Sequence, residues 1–171
     1  MKKLMGIIVV AVLLVGVGYY LKQDSTKSSD INNAAGTAKT VIVGDSILDL
    51  SGQGLTKAPE YIFARTSLTE LNLSNNALTG SLQSQIGQLQ NLKILNLSGN
   101  KFTGVPAEVG KLSQLEVLDL SNNQLTGLPL ELGNLSHLKV LNLSGNSYSK
   151  SDLEKIKTKL PTTTIIKTSV Q

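Results

Sequence analysis

Residues 68–149 repeat themselves. The copies are "LTELNLSNNALTGSLQSQIGQLQN" (68–91), "LKILNLSGNKFTGVPAEVGKLSQ" (92–114), "LEVLDLSNNQLTGLPLELGNLSH" (115–137) and "LKVLNLSGNSYSKSDLEKIKTKL" from 138 onward. The period is 24, then 23, then 23, and a divergent earlier copy stands in "ILDLSGQGLTKAPEYI", where Gln53 replaces the asparagine. Self-similarity at a fixed period of this size is the signature of stacked, identical supersecondary units. Within one copy, Leu118 and Leu120 alternate with Val117, Asp119 and Ser121, the period of a half-buried strand. Beyond Asn123 the alternation stops, and Leu125, Leu128, Leu132 and Leu135 recur at spacings of three or four, as a helix turn or looser return needs. One coil of strand and return cannot cover its own leucines. Stacking five coils does, with the strands joined into one parallel sheet.

Leu115, Leu118, Leu120, Asn123 and Leu125 match an L-x-x-L-x-L-x-x-N-x-L core, and the chain in this respect resembles the leucine-rich repeat family over about residues 45–163. The "LTG…LP…LG" continuation is similar to the common 23-residue class, and "LTGSL" of the 24-residue copy to a variant of plant receptors. The resemblance implies an α/β fold: a leucine-rich repeat solenoid, a right-handed β-α superhelix with a parallel sheet on the concave face. It also implies a buried ladder for Asn76, Asn100, Asn123 and Asn146, which sit where the chain leaves each strand. An amide suits that place because it satisfies a backbone N–H and a C=O together. The cysteine-paired caps of the plant receptors are missing, which argues for a bacterial surface protein.

A stack needs caps at both ends. At the C-terminus, residues 150–171 predict a helix and an edge strand: Ser151 and Glu154 have capping-box spacing, Leu153, Ile156 and Leu160 share one face, and Pro161 ends it. Residues 41–67 supply an opening strand, a short helical return and the divergent first repeat.

Ahead of these lies "MKKLMGIIVVAVLLVGVGYYLKQ", whose uncharged run 4–21 spans about 27 Å as a helix, close to the thickness of a bilayer. It reads as a transmembrane signal anchor with residues 1–3 as a cytoplasmic stub, because Lys2 and Lys3 hold the short end inside; the alternative is a cleaved signal peptide and a secreted protein. Residues 22–40 are polar and nearly free of large apolar groups, a flexible linker between anchor and repeats. The expectation is a single-pass membrane protein with its repeats outside the cytoplasm.

Composition narrows the chemistry. There is no cysteine and one histidine, so thiolate sites and multi-histidine metal sites are excluded, and no cofactor or metal is expected. From Asp45 onward eleven basic residues face ten acidic ones, and aromatics are scarce, which does not suit a nucleic-acid binder. "VIVGDSILDL" resembles the first block of GDS(L)-type esterases with Ser46 as nucleophile, but the only histidine, His137, follows "NLS" with Asn134 where that family needs aspartate. Without an oriented base the serine is not activated, and the chain is expected not to be an enzyme.

Three columns then face solvent on the concave sheet: Ile47, Glu70, Ile94, Val117 and Val140; Asp49, Asn72, Asn96, Asp119 and Asn142; Ser51, Ser74, Ser98, Ser121 and Ser144. Ile94, Val117 and Val140, partly exposed beside the polar residues, form a candidate contact strip. The expected partner-binding residues are Glu70, Asn72, Ile94, Asn96, Val117, Asp119, Ser121, Val140 and Asn142, and the expected partner is a protein or peptide. Against this stand a structural envelope or adhesion module acting through the convex side or caps, and the esterase. The C-terminal cap is locally basic, with Lys150, Lys155, Lys157, Lys159 and Lys167 against Asp152 and Glu154.

Overall fold

A computed structural model describes residues 41–43 and 45–168. The expected stub (1–3), anchor (4–21) and linker (22–40) lie outside the described residues. Among the described residues, no helix is long and apolar enough to cross a membrane.

The strands are short because each copy alternates over only a few residues before its turn. In chain order they are β1 (Val41–Val43), β2 (Ile47–Asp49), β3 (Glu70–Asn72), β4 (Thr79–Gly80), β5 (Ile94–Asn96), β6 (Lys101–Phe102), β7 (Val117–Asp119), β8 (Val140–Asn142) and β9 (Ile165–Lys167). One sheet runs β1-β2-β3-β5-β7-β8-β9, while β4 and β6 pair separately beyond the turns. Each successive coil adds a parallel strand without register slip, so Ile47, Glu70, Ile94, Val117, Val140 and Ile165 stand in one row. Only β1 is antiparallel, and it folds back on β2.

The core fills the space between sheet and returns. Leu48, Leu71, Leu95, Leu118 and Leu141 point inward from the strand centres at 0% exposure. The returns answer with Ile62, Ile86, Val109 and Leu132, and Ile156 of the terminal helix α1 (Lys150–Lys157) continues that row, all at 0%. Each such side chain contributes about 2–3 kcal/mol of burial. Replacing any one opens a cavity shared by two coils.

Two expectations need correction. The returns, read as a helix turn or looser segment, are five-residue 3-10 helices, Glu60–Ala64, Ser84–Gln88, Ala107–Lys111 and Leu130–Asn134, and not the α-helices that a β-α superhelix implies. The cause is crowding: a Cβ on Gly110 would overlap the Glu131 carbonyl, and one on Gly133 would come within 2.9 Å of Lys159 Cβ. A 3-10 helix is slimmer and rises about 2.0 Å per residue, so it closes the coil in less width. Pro59, Pro106 and Pro129 lead into three of them with φ between −62° and −70°. Second, α1 is capped two residues earlier than the capping-box spacing suggests. The Ser149 hydroxyl accepts the Asp152 N–H at 3.3 Å, and Ser151 lies exposed inside the first turn.

Candidate binding face

The turns that end the strands fix which side chains remain available. Asn76, Asn100, Asn123 and Asn146 each donate through Nδ2 to a carbonyl of the preceding coil, Leu50, Leu73, Leu97 and Leu120, at 2.9–3.0 Å. Their Oδ1 atoms accept from the backbone N–H of Leu55, Leu78, Phe102 and Leu125 on that same coil, at 3.0–3.1 Å. Nδ2 also reaches carbonyls of its own coil, such as Leu120 and Ser121 for Asn123. These amides are rivets between coils.

Just before each rivet the backbone enters the left-handed region, at Gly52 (φ 66°), Asn75 (55°), Gly99 (65°), Asn122 (53°) and Gly145 (70°). Glycine and asparagine alternate there for a steric reason. A Cβ on Gly99 would lie 2.5 Å from Asn75 Oδ1, and one on Gly145 would lie 2.5 Å from Asn122 Oδ1 and 3.1 Å from its Cα.

The polar columns of the open sheet face are also largely engaged. Asp49, Asn72, Asn96, Asp119 and Asn142 each accept through Oδ1 the N–H of the serine two residues on, at 2.9–3.2 Å. Asp119 does most: its Oδ1 also takes the Ser121 hydroxyl at 2.6 Å and its Oδ2 the Asn142 amide at 3.0 Å. This corrects the expectation that Asp119 and Ser121 stand free, since both are 5% exposed.

The aliphatic column needs the same correction. Val117 is 2% and Val140 8% exposed, while Ile94 is half-buried and Ile165, on the last strand, is 51% exposed. Strands lie about 4.8 Å apart, so a branched side chain with an in-register aliphatic on each side loses its lateral surface. Val117 sits between Ile94 and Val140. Ile165 has no further strand beyond it. The contact positions that remain open are Ile47, Ile94 and Ile165, with Asn72, Asn96 and Asn142 half-buried alongside.

Glu70 breaks this column. It stands in register between Ile47 and Ile94 and is 8% exposed. Among the described residues no donor or cation pairs with its carboxylate. Burial, and secondarily the charge of Asp49 on the preceding coil, hold it above the usual carboxylate range. A single acid in an otherwise aliphatic row was the signal available in the sequence.

Elsewhere, the Ser46 carbonyl accepts the N–H groups of Thr69 and Glu70, and His137 binds the Ser113 carbonyl at 2.8 Å. Ser46 precedes β2 and His137 precedes β8, four strand steps or about 19 Å apart, so the fold does not bring them together. A shallow groove on the C-terminal cap is lined by Leu130, 42% exposed, with Glu154, Lys155, Thr158 and Lys159. Among the described residues no group of three or more histidines, aspartates and glutamates is placed to hold a metal ion.

Comparison with known proteins adds the following. A family model described as "Leucine rich repeat" matches residues 90–148, and one described as "Leucine Rich repeats (2 copies)" matches 66–107. A leucine-rich repeat protein of Leptospira interrogans is similar at 41% identity and TM-score 0.60, over 65% of this chain and 28% of that one. The ectodomain of the Arabidopsis thaliana membrane receptor kinase GASSHO1/SCHENGEN3, solved in complex with Casparian strip integrity factor 2, is similar at 40% identity and TM-score 0.59, over 67% of this chain and 14% of that one. A chain of the BIR3–SERK2 complex from the same plant is similar at 32% identity and TM-score 0.58, over 80% of this chain and 71% of that one. The chain spans about a fifth or less of the length of the curated relatives it matches.

Proposed function

Because the chain belongs to the leucine-rich repeat family, we propose that it is a binding protein rather than a catalyst, with a protein or peptide ligand lying across the open face of its sheet. The observation that carries this reading is the row Ile47–Glu70–Ile94–Val117–Val140–Ile165, which runs in register over six parallel strands. Five strand steps span about 24 Å, the reach of an extended peptide of about seven residues. Two similar structures, those of GASSHO1/SCHENGEN3 and BIR3–SERK2, were solved as complexes, which supports a macromolecular partner here.

The position of the test mutation matters. Val117 and Val140 are so buried that a charge there reports on folding, whereas Ile94→Asp leaves the core leucines untouched. Partner capture from an envelope extract by the full chain is expected to fall at least tenfold in Ile94→Asp, a loss of about 1.4 kcal/mol. A second reading places the contact on the cap groove, because Leu130 is exposed beside Lys155 and Lys159. Capture lost in Leu130→Asp but retained in Ile94→Asp would move the site there.

We further propose that the domain is displayed outside the cytoplasm on an uncleaved anchor of residues 4–21, tethered by 22–40. Support comes from the length of the uncharged run and the lysines before it. Mass spectrometry of the native protein should find the N-terminal peptide intact in the membrane fraction; a new N-terminus past the apolar run identifies a secreted form instead.

A further inference from the structure

We infer that Glu70 and Asp49 form an anchor for one cationic group of the ligand, so that the partner is an extended segment carrying a lysine or arginine two positions from an aliphatic residue. This rests on the reading of the open face given above and specifies the chemistry it selects.

The geometry points to a cation because the other acid of this face, Asp119, is hydrogen-bonded at both oxygens, whereas Glu70 and Asp49 keep carboxylate oxygens that no described donor reaches. Glu70 is 8% exposed and lies between Ile47 and Ile94 on the binding row, with no donor among the described residues. Asp49 is its diagonal neighbour, in register with Asn72. One oxygen of Asp49 accepts the Ser51 N–H at 2.9 Å, and no described donor reaches the other. The equivalent aspartate three coils on is finished differently: Asp119 Oδ2 receives the Asn142 amide at 3.0 Å. The N-terminal half of the face therefore holds two neighbouring carboxylates, one of them partly desolvated, and the C-terminal half holds none without a donor.

Such a pair is unfavourable without a ligand and favourable with one. Desolvation and the Asp49 charge both raise the proton affinity of Glu70, and an ammonium or guanidinium group seated between the carboxylates offsets both through charge-assisted hydrogen bonds. Ile94 is one strand step from Glu70, about 4.8 Å, whereas same-face residues of an extended peptide are about 6.6 Å apart. A basic residue with an aliphatic two positions away meets both, because the two then share a face and the long basic side chain takes up the difference in spacing.

Panning a phage-displayed random dodecapeptide library on the full chain in detergent micelles tests this. Wild type is expected to enrich peptides with lysine or arginine two positions from valine, isoleucine or leucine. Synthetic copies of these should bind Glu70→Gln at least thirtyfold more weakly, with less dependence on salt. Glu70→Gln keeps the shape of the side chain, and its thermal melt at neutral pH, unchanged or raised, verifies the fold. Peptides that lose binding in Ile94→Asp but show no basic preference and no response to Glu70→Gln overturn the anchor and leave the open-face reading standing. Enrichment of nothing, or of peptides indifferent to Ile94→Asp, overturns both. A synthetic peptide of residues 22–40, carrying Lys22, Lys27 and Lys39, is the control; displacement by it as strong as by the selected peptides makes the chain's own linker the occupant and overturns a separate partner.

Discussion

Asn123 and Asn146 make the same hydrogen bonds in different surroundings, and that difference fixes what each contributes. Asn123 is 8% exposed between two complete coils, whereas Asn146 is half-buried where the last coil gives way to the cap. Asn123→Ala leaves the Phe102 N–H and the Leu97 carbonyl facing an apolar wall, and should cost about 2–3 kcal/mol in urea denaturation. Asn146→Ala, reachable by water, should cost about half as much; equal losses would show that burial does not set the value of the rivets. Glu70 behaves in the opposite sense. Its proton is held more tightly in the folded state than in the unfolded chain, through burial first and Asp49 second. The stability this supplies is full below the unfolded pKa of about 4.3 and fades as pH rises through the native value. The facing strand β5 presents only Ile94 and Asn96, so no opposite charge offsets this. Glu70→Gln is therefore expected to melt higher than wild type at pH 7, with the gap closing as pH falls to 4. A gap that stays constant between those pH values would mean that ionisation is not its source.

At the scale of elements, the two kinds of helix follow from available space. The returns are squeezed between neighbours at Gly110 and Gly133 and adopt 3-10 geometry, while α1 has only one packed side and relaxes into an α-helix of eight residues. Its cap is a local matter: Ser149→Ala should cost about 1 kcal/mol, and Ser151→Ala less than about 0.5, in thermal or urea unfolding. The reverse order would restore the capping-box assignment. The strands of the repeats, their parallel order and the core leucines were legible in the sequence, because one period of 23 residues repeated in register leaves a single way to cover the leucines; the antiparallel turn of β1 and the separate β4–β6 pair were not. What could not be read was set by contacts between copies. Leucines every three or four residues after Asn123 satisfy an α-helix and a 3-10 helix alike, and only the distance to the next return decides. The open face failed for a related reason. Alternation says that Val117 points away from the core, but its exposure depends on the width of Ile94 and Val140 on either side. Glu70 is marked in the sequence as the one acid of an aliphatic row, but its burial without a donor depends on the neighbouring coils.

At the scale of the whole molecule, the left-handed turn couples each coil to the next, and this limits how the stack can grow. Stability of a repeat stack is close to a sum of coil terms and nearest-neighbour interfaces, so inserted coils should raise it. The turn residues here alternate, Gly52, Asn75, Gly99, Asn122 and Gly145, and the amide oxygens of Asn75 and Asn122 occupy the space over the next glycine. Duplicating residues 115–137 alone would set two asparagines side by side and force one amide out of that space. Duplicating 92–137 inserts a glycine coil and an asparagine coil together and keeps the alternation intact. Both insertions preserve the period, the leucine rows and the rivets, and they differ only at this turn. The two-coil insertion is therefore expected to raise the free energy of unfolding by more than twice the gain of the one-coil insertion, the shortfall being about 1–2 kcal/mol, the scale of a strained backbone or displaced side chain. Urea titrations with matched m-values measure it. A gain strictly proportional to the number of added coils would mean that the amide rotates away at no cost, and that glycine stands at Gly99 and Gly145 for its left-handed backbone alone.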